Sequence, residues 1–220
     1  MVSHRLLIFL LIDQSIKKLF LVHGNMEGLA MPRTGMMAIR KDALVNATIS
    51  EIGRRGSLDV TMGQIAKAAG VSSALAHHYF GSKDDLLLAA MRAILAEFGA
   101  EARAQLARAD TPMERLTAIA RASFGGQNFC PDVVSAWLTF YVMAQRDAQA
   151  ARLLRVYQNR LVSNLTHALT PLTPDAPRIA ATAAALIDGL YIRHALADVG
   201  PPDAEAAITR VTDFLELAIR

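Results

Sequence analysis

The stretch TMGQIAKAAGVSSALAHHYFGSKDD, at positions 61–85, predicts two short helices joined by a tight turn. Thr61 and Gln64 have the spacing of a capping box, in which a hydroxyl and an amide cover free backbone N–H groups at a helix start. Ile65 and Ala69 then recur at helical spacing on one apolar face. Gly70 ends this helix, because a residue without a Cβ enters the left-handed region at no steric cost.

A second helix follows the turn. Ser72 is suited to cap it, and we expect it to end near Phe80. Ser82 and Asp85 form a further capping signature that opens a third helix. Two helices around a three- or four-residue glycine turn form the helix-turn-helix pattern, which places its second helix in the DNA major groove. The alternative is a plain pair of core helices.

Composition indicates an all-α protein and offers little support for an enzyme. The chain has 220 residues, 53% of them hydrophobic, without alternating β-branched runs. The single cysteine, Cys130, excludes an internal disulfide framework and fits a reducing cytoplasm. The sequence contains no phosphate-binding loop, GxGxxG, GxSxG or HExxH motif, and its six histidines lack metal-ligand spacing. We therefore predict no catalytic residue, no metal and no cofactor.

Charge is distributed unevenly along the chain. Residues 31–83 carry seven Lys and Arg against three Asp and Glu, whereas residues 84–220 carry thirteen against fifteen. A basic segment followed by a mildly acidic one suits a protein that meets a polyanion at one end only.

The run IAKAAGVSSALAHHYFGSKDDLL, at positions 65–87, resembles the DNA-binding signature of the TetR family of bacterial repressors. The AGVS turn, the HYF at the end of the second helix and the SK that follows carry the resemblance. It implies a three-helix DNA-binding head and a C-terminal helical bundle for ligand binding and dimerisation. The implied partners are double-stranded operator DNA, a small-molecule inducer and a second copy that pairs through the last two helices.

The resemblance also implies roles for residues of the head. Ser73, Ala74 and Leu75 lie where the family reads bases, where apolar side chains can contact thymine methyl groups. Residues at the positions that bind phosphates and sugars, or that flank them, complete the predicted DNA-binding set: Thr61, Ser72, His77, His78, Tyr79 and Lys83. The family often has Gly at position 74 and Tyr at position 77, so this chain departs from its pattern twice.

We divide the chain into three parts. Residues 1–30 are predicted to be a non-native or disordered extension, with Met31 as the natural beginning. Their apolar run at 6–12 is far shorter than the roughly 20 residues that span a membrane, so no membrane association is expected. Residues 38–98 form the DNA-binding domain, with the helix-turn-helix at 61–80, and residues 99–220 form the sensing and dimerisation domain.

Helical periodicity and caps predict the remaining elements. The first helix is expected at about 39–55, and the fourth from Lys83 past Arg103. Thr111 and Glu114 cap a fifth helix. The sixth, VVSAWLTFYVMAQRD, is apolar around nearly its whole circumference and is expected to be buried. A long helix at about 148–169 is closed by prolines, and two further helices complete the body.

One acidic residue stands out among the aromatic residues of the body. Asp188 lies in AAALIDGLYI, where an ionised carboxylate needs a partner or changes its protonation state. A carboxylate beside aromatic faces can hold a quaternary ammonium by charge and cation–π attraction. The candidate ligand-binding residues are Phe129, Trp137, Tyr141, Asp188 and Tyr191, with Phe140 as a further aromatic. The alternatives are a plain aromatic core and an Asp188–Arg193 contact or capping role.

Three further segments narrow the resemblance. MPRTGMMAIRK from Met31, NFCPDVVSAWLTF and LIDGLYIR resemble the choline-sensing repressors of glycine betaine synthesis. This likeness implies choline as inducer and control of the genes for choline uptake and oxidation. Two alternatives remain. A regulator of another regulon would sense a different lipophilic or cationic molecule in a pocket that Asp188 does not line, and a small helical enzyme would need converging catalytic groups.

Overall fold

The computed structural model describes residues 33–55, 59–125, 128–196 and 203–220, and every regular element in these ranges is an α-helix. The predicted extension at 1–30 lies outside them. Contacts divide the chain into two units, Met1–Met37 and Ala38–Arg220, and the packing below lies within the second. The helices are α1 (Arg33–Arg55), α2 (Met62–Ala68), α3 (Ser73–Phe80), α4 (Lys83–Leu106), α5 (Pro112–Phe124), α6 (Pro131–Ala144), α7 (Ala148–Leu169), α8 (Ala176–Leu196) and α9 (Ala204–Ile219).

The helix-turn-helix forms as the sequence predicts. Thr61 accepts from the backbone N–H of Gln64 at 3.3 Å, and the Gln64 side chain accepts from the Thr61 N–H at 2.9 Å, which completes the capping box. Gly70 adopts a φ of +68° in the turn, where a side chain would be strained. Ser72 then caps α3 by accepting from the N–H of Leu75 at 3.2 Å.

The head, defined here as α1, α2 and α3 (residues 38–80), has a small core of its own. Leu44 of α1, Ile65 of α2 and Ala76 of α3 are fully buried in one hydrophobic cluster. Val71 and Phe80 are partly buried against this cluster. The core therefore fixes the orientation of α3 from its inner side and leaves its outer side available to a partner.

The body, defined here as α4 to α9 (residues 83–220), is a bundle built around α7 and α8. These two helices pack against each other, α6 packs on both, and α9 contacts α5 and α8. The predicted bounds of α7 agree with the structure, whereas α1 begins at Arg33, ahead of the expected start. α4 runs unbroken through the predicted domain boundary at 98–99, so one continuous helix joins the two parts of the chain.

α6 and α8 are packed in the core, yet each also has apolar residues that are exposed. α6 was expected to be buried all round, yet Val142 near its end is 47% exposed, because α4, α7 and α8 do not surround the last turn. Among the described residues, α8 is the one helix long and apolar enough to cross a membrane. One face of α8 packs on α6, α7 and α9, so we interpret it as a core helix with a second apolar face.

Candidate DNA-binding surface and ligand site

The outer side of α3 presents most of the predicted DNA-reading residues. Ser73, Ala74, His77 and His78 are exposed, while Leu75 is half-buried. The Nδ1 atom of His77 lies 2.9 Å from the Gly81 carbonyl oxygen, so this nitrogen carries the proton and donates it. The other ring nitrogen is then the one that can accept a hydrogen bond.

Tyr79 stands at the junction of three elements. The Nζ atom of Lys41 on α1 lies 5.8 Å from the centre of the Tyr79 ring, within the range of a cation–π contact. The His78 ring lies 5.6 Å away on the same helix, and Lys83 begins α4 three residues after Phe80. The last turn of α3 thus carries the Tyr79 phenol, with Lys41 of α1 over its ring and Lys83 following at the start of α4.

The basic residues at the end of α1 are partly neutralised. Arg54 Nη2 lies 2.7 Å from Glu51 Oε2, and Arg55 Nε lies 3.3 Å from the same oxygen. The Arg54 guanidinium holds the pKa of Glu51 below its ordinary value. Two arginines share one carboxylate, so this end of α1 keeps a net positive charge.

In the body, Asp188 lies half-buried with phenol groups as its polar neighbours. The Tyr157 hydroxyl donates to Asp188 Oδ1 at 3.4 Å, and the Tyr141 hydroxyl approaches the same carboxylate. Burial raises the pKa of Asp188 above its ordinary value, and the hydrogen bonds from both tyrosines oppose part of that rise. Burial, together with the Asp188 charge, also raises the pKa of both tyrosines, which therefore stay protonated.

Further aromatic rings pack against the two tyrosines that bond this carboxylate. The Trp137 ring centre lies 4.7 Å from that of Tyr157 and 5.9 Å from that of Tyr141. Phe98 of α4 closes the far side of Tyr157 in an edge-to-face contact at 5.7 Å. We call Trp137, Tyr141, Tyr157 and Asp188 the acidic aromatic cluster. Four elements contribute to it or support it, namely α4, α6, α7 and α8.

Two predicted ligand residues, Tyr191 and Phe129, belong to a neighbouring group of residues that anchors α8. The Tyr191 hydroxyl contacts the backbone carbonyls of Ser123 and Asn128, at 3.1 Å for the latter, and ties α8 to the segment between α5 and α6. Phe129 packs against the Tyr191 ring at 5.0 Å. Tyr191 reaches the acidic aromatic cluster only through its ring, 6.2 Å from Trp137. Its hydroxyl thus anchors α8, and the prediction of Tyr191 as a ligand residue stays a prediction.

Sequence reasoning missed Tyr157 and favoured Phe140. Tyr157 lies on α7, 31 positions before Asp188, and its own surroundings in the sequence are polar. Its spacing of four from Leu153 and Leu161, on the buried face of α7, was the one available signal. Phe140 is fully buried and serves as core beside Trp137.

The alternative partner for Asp188 is not used. Arg193 is exposed, and the described part of the chain contains no ion pair between it and Asp188. The carboxylate instead relies on two neutral hydroxyls. In the same residues, no group of His, Cys, Asp and Glu could hold a metal ion.

A helix-turn-helix head joined to a helical body with an enclosed polar cluster defines a ligand-responsive DNA-binding regulator, and comparisons with known proteins give its family. The family of bacterial regulatory proteins named after tetR matches residues 44–90, and a family described as "BetI-type transcriptional repressor, C-terminal" matches residues 112–220. The chain belongs to the TetR family of transcriptional regulators, with a BetI-type C-terminal domain. It is a transcriptional repressor and not an enzyme.

Curated relatives agree across nearly the whole chain. The HTH-type transcriptional regulator BetI of Brucella suis is 53% identical over 192 residues, covering 86% of this chain and 96% of its own. The regulator of the same name from Agrobacterium fabrum is 50% identical over 192 residues, covering 86% and 93%. The predicted family is thereby confirmed.

Solved structures share the fold at lower identity. A putative transcriptional regulator from Saccharomonospora viridis in complex with choline has a TM-score of 0.72 at 24% identity, covering 80% of this chain and 95% of its own. A putative regulator from Pseudomonas aeruginosa has a TM-score of 0.70 at 23% identity, covering 82% and 90%. The predicted all-α architecture is confirmed.

We predict that Asp188→Asn leaves the protein at least as stable as wild type near neutral pH. The folded-state pKa of Asp188 is raised, so this group stabilises the fold fully below its unfolded pKa of about 3.9, and that stability is lost as the pH rises through the folded pKa. The neutral amide avoids this loss. Urea denaturation at several pH values between 4.5 and 8 should show an advantage for the variant that shrinks as the pH falls.

Asp175→Asn is the matched control, because Asp175 is exposed and pairs with Arg178 at the protein surface. We expect it to change stability little at any of these pH values. An Asp188→Asn variant clearly less stable than wild type at pH 7 would contradict the prediction and indicate a structural ion pair.

Proposed function

We propose that this protein represses genes for choline uptake and for the conversion of choline to glycine betaine, and that choline releases it from its operator. The observation that carries the proposal is the half-buried Asp188 carboxylate, bounded by aromatic rings and bonded by two neutral tyrosines. The protein would act in the cytoplasm as a homodimer, with no cofactor. The role as a repressor follows from the family, whereas the ligand and the controlled genes are our inference.

The chemistry of the acidic aromatic cluster favours a small organic cation. A partly buried carboxylate without a positive partner is unfavourable, and a bound cation relieves that cost. The faces of Trp137, Tyr141 and Tyr157 attract a quaternary ammonium without demanding hydrogen bonds, which such a cation cannot donate. A primary ammonium would instead need acceptors for three protons. The choline complex described for the Saccharomonospora regulator supports this choice.

We predict that Asp188→Asn weakens the choline response about tenfold or more while leaving operator binding intact. Removing the counter-charge costs at least as much as one cation–π contact of roughly 0.5–2 kcal/mol, and 1.4 kcal/mol corresponds to one decade. Fluorescence of Trp137, the single tryptophan, can report choline binding directly. Operator release can be followed in parallel by anisotropy of labelled DNA.

The neutral isostere 3,3-dimethylbutan-1-ol separates charge from shape. Wild type should prefer choline over it, and Asp188→Asn should lose most of that preference, because only the charge term has changed. Tyr157→Phe is the comparison variant, since it keeps the ring and removes one hydroxyl. An unchanged choline response in Asp188→Asn would exclude this site as the choline sensor.

For the DNA-binding surface, we propose that Ser73, Ala74 and Leu75 read bases and that Tyr79 and Lys83 bind phosphates. Thr61, Ser72, His77 and His78 complete the surface. The hydroxyls of Thr61 and Ser72 already cap α2 and α3, so their main part is to fix the two helix starts against the DNA. The clustering of Lys41 beside Tyr79 adds positive charge at the same edge.

We predict that Tyr79→Phe and Lys83→Ala weaken operator binding about uniformly across sequences, because phosphate contacts carry no base information. Lys83→Ala should also lower the slope of log K against log salt by roughly one per half-site, whereas Tyr79→Phe should leave that slope unchanged. Competition titrations at several salt concentrations measure both. Arg155→Ala, at an exposed position on α7 of the body, is the charge-matched control. A wild-type slope in Lys83→Ala would count against the contact.

The exposed apolar surface of α8 and α9 supports dimerisation. Leu196 is 74% exposed and Leu217 is 68% exposed, and Ile192 adds to the same outer face of α8. Ala181 and Ala185 keep the first half of that face small enough for close helix approach. A helix that is apolar on both faces needs a cover on each, and a second copy supplies the outer one.

We predict that Leu196→Glu and Leu217→Glu each shift the protein from dimer to monomer, because a charge would be buried at the centre of the interface without a partner. Val142→Glu is the matched control, since Val142 is 47% exposed on α6, outside that face. Sedimentation velocity distinguishes monomer from dimer for each of the three variants. Loss of dimer in the control alone would place the interface on α6.

A further inference from the structure

One histidine on the outer side of α3 has its imidazole held by the end of the helix. The Nδ1 atom of His77 lies 2.9 Å from the carbonyl oxygen of Gly81, the C-cap residue. The backbone N–H of Gly81 in turn donates to the His77 carbonyl oxygen at 2.8 Å. Both the side chain and the backbone of His77 are thus bonded to one residue, and these two bonds set the orientation of the imidazole.

The bond to Gly81 also decides which nitrogen of the His77 ring can accept. A carbonyl oxygen only accepts, so Nδ1 carries a proton and donates it. In the neutral imidazole the second nitrogen, Nε2, then has a lone pair and no hydrogen. Within the described part of the chain, no residue donates to Nε2. The exposed His77 side chain therefore offers its surroundings a hydrogen-bond acceptor.

His77 shares a face of α3 with residues that we expect to read bases. Ser73 and Ala74 lie four and three positions before it, about one helical turn away, and all three are exposed. The adjacent Ala76 is fully buried on the inner side of the helix. The side chains of Ser73 and Ala74 are short, so the imidazole of His77 reaches further from the helix axis than they do.

An acceptor at this position distinguishes between the groups that DNA presents. Phosphate oxygens are themselves acceptors, so an unprotonated Nε2 has no hydrogen bond to make with them. In the major groove, adenine and cytosine present amino groups that donate, from N6 and N4 respectively. Guanine presents O6 and N7 and thymine presents O4, and these atoms only accept. A side chain that only accepts is therefore suited to select the two amino bases.

We propose that His77 is a specificity-determining residue, which accepts at Nε2 from the amino group of one adenine or cytosine in each half-site of the operator. This rests on the proposed DNA-binding surface, in which α3 lies in the major groove. The Gly81 carbonyl oxygen has a positioning role, because it keeps the proton on Nδ1 and the lone pair on Nε2. His77 adds a directional polar contact to a surface where Ala74 and Leu75 offer apolar ones.

Two substitutions separate base reading from the bond at the end of the helix. His77→Asn keeps an amide N–H near the position of Nδ1, so it can still donate to Gly81, but it has no atom near Nε2. His77→Phe keeps a ring and removes both nitrogens. His78→Asn is the matched control, because His78 is also exposed on α3 and its ring lies against Tyr79 instead of Gly81.

The test selects binding sites from a library of DNA duplexes with a randomised central segment, for wild type and each variant. Wild type should select adenine or cytosine at one position of each half-site, with binding about fivefold weaker when guanine or thymine stands there, the worth of one neutral hydrogen bond. His77→Asn and His77→Phe should lose this preference and keep the preferences at other positions. His78→Asn should retain all of them.

Modified bases then isolate the amino group. In the selected duplex, the adenine is replaced by purine, or the cytosine by pyrimidin-2-one, each of which lacks the exocyclic amino group. Wild type should lose about fivefold in affinity, whereas His77→Asn should lose no more than about twofold, as expected when the interaction is already absent. Equal losses in the two proteins would overturn the proposal.

Two further outcomes would also overturn it. Uniformly weaker binding of all sequences by His77→Asn, with a lower slope of log K against log salt, would assign His77 to a phosphate. A selection profile that changes in Leu75→Ala but not in His77→Asn would refute the His77 contact alone. A profile that changes in neither variant would refute the proposed DNA-binding surface and the His77 contact with it.

Discussion

The body of this protein is organised around a carboxylate that is partly removed from water and for which the described residues provide no ion-pair partner. Asp188 sits on the helix that contacts α6, α7 and α9, and burial disfavours its charged form. The two tyrosines that bond it are themselves held protonated by the same burial. Their hydrogen bonds reduce the cost of burying the charged carboxylate but supply no positive charge. On the proposed choline response, a bound cation would remove this unfavourable electrostatic term, which would favour cationic ligands.

α6 takes part both in the acidic aromatic cluster and in a contact with α1. Its buried residues hold it between α4, α7 and α8, its aromatic residues face Asp188, and its first turn meets α1. A packed helix with fixed neighbours moves as a body because the interior has no spare volume for gradual deformation. The Tyr191 hydroxyl ties α8 to the end of α5 and to the segment before α6.

The sequence predicted the helices, their caps and the family, because these depend on local rules. The capping pairs, Gly70 and the AGVS turn all lie within a few residues of one another, and the structure confirms them. The acidic aromatic cluster depends on distant residues. The sequence singled out Asp188 and Trp137 because each is unusual in its own segment. Tyr157 was missed because the sequence does not show which face of α7 meets Asp188. Tyr191 illustrates the converse, since its proximity to Asp188 predicted a ligand contact and the structure gives its hydroxyl an anchoring role. The closeness of Gly53 to Asp132, 79 positions later, has no local signature in the sequence.

The small size of the proposed inducer constrains how the signal can travel. Choline has about seven non-hydrogen atoms, so even an exceptionally efficient site gains roughly 10 kcal/mol, and ordinary sites gain much less. A hundredfold change in operator affinity needs about 2.7 kcal/mol of difference between the two conformations. A ligand shifts an equilibrium only by its differential affinity, so a substantial share of its binding free energy must depend on the position of the head. A flexible connection would dissipate that dependence. A continuous helix retains it, and α6, which carries Trp137 and Tyr141, is continuous from Pro131 to Ala144.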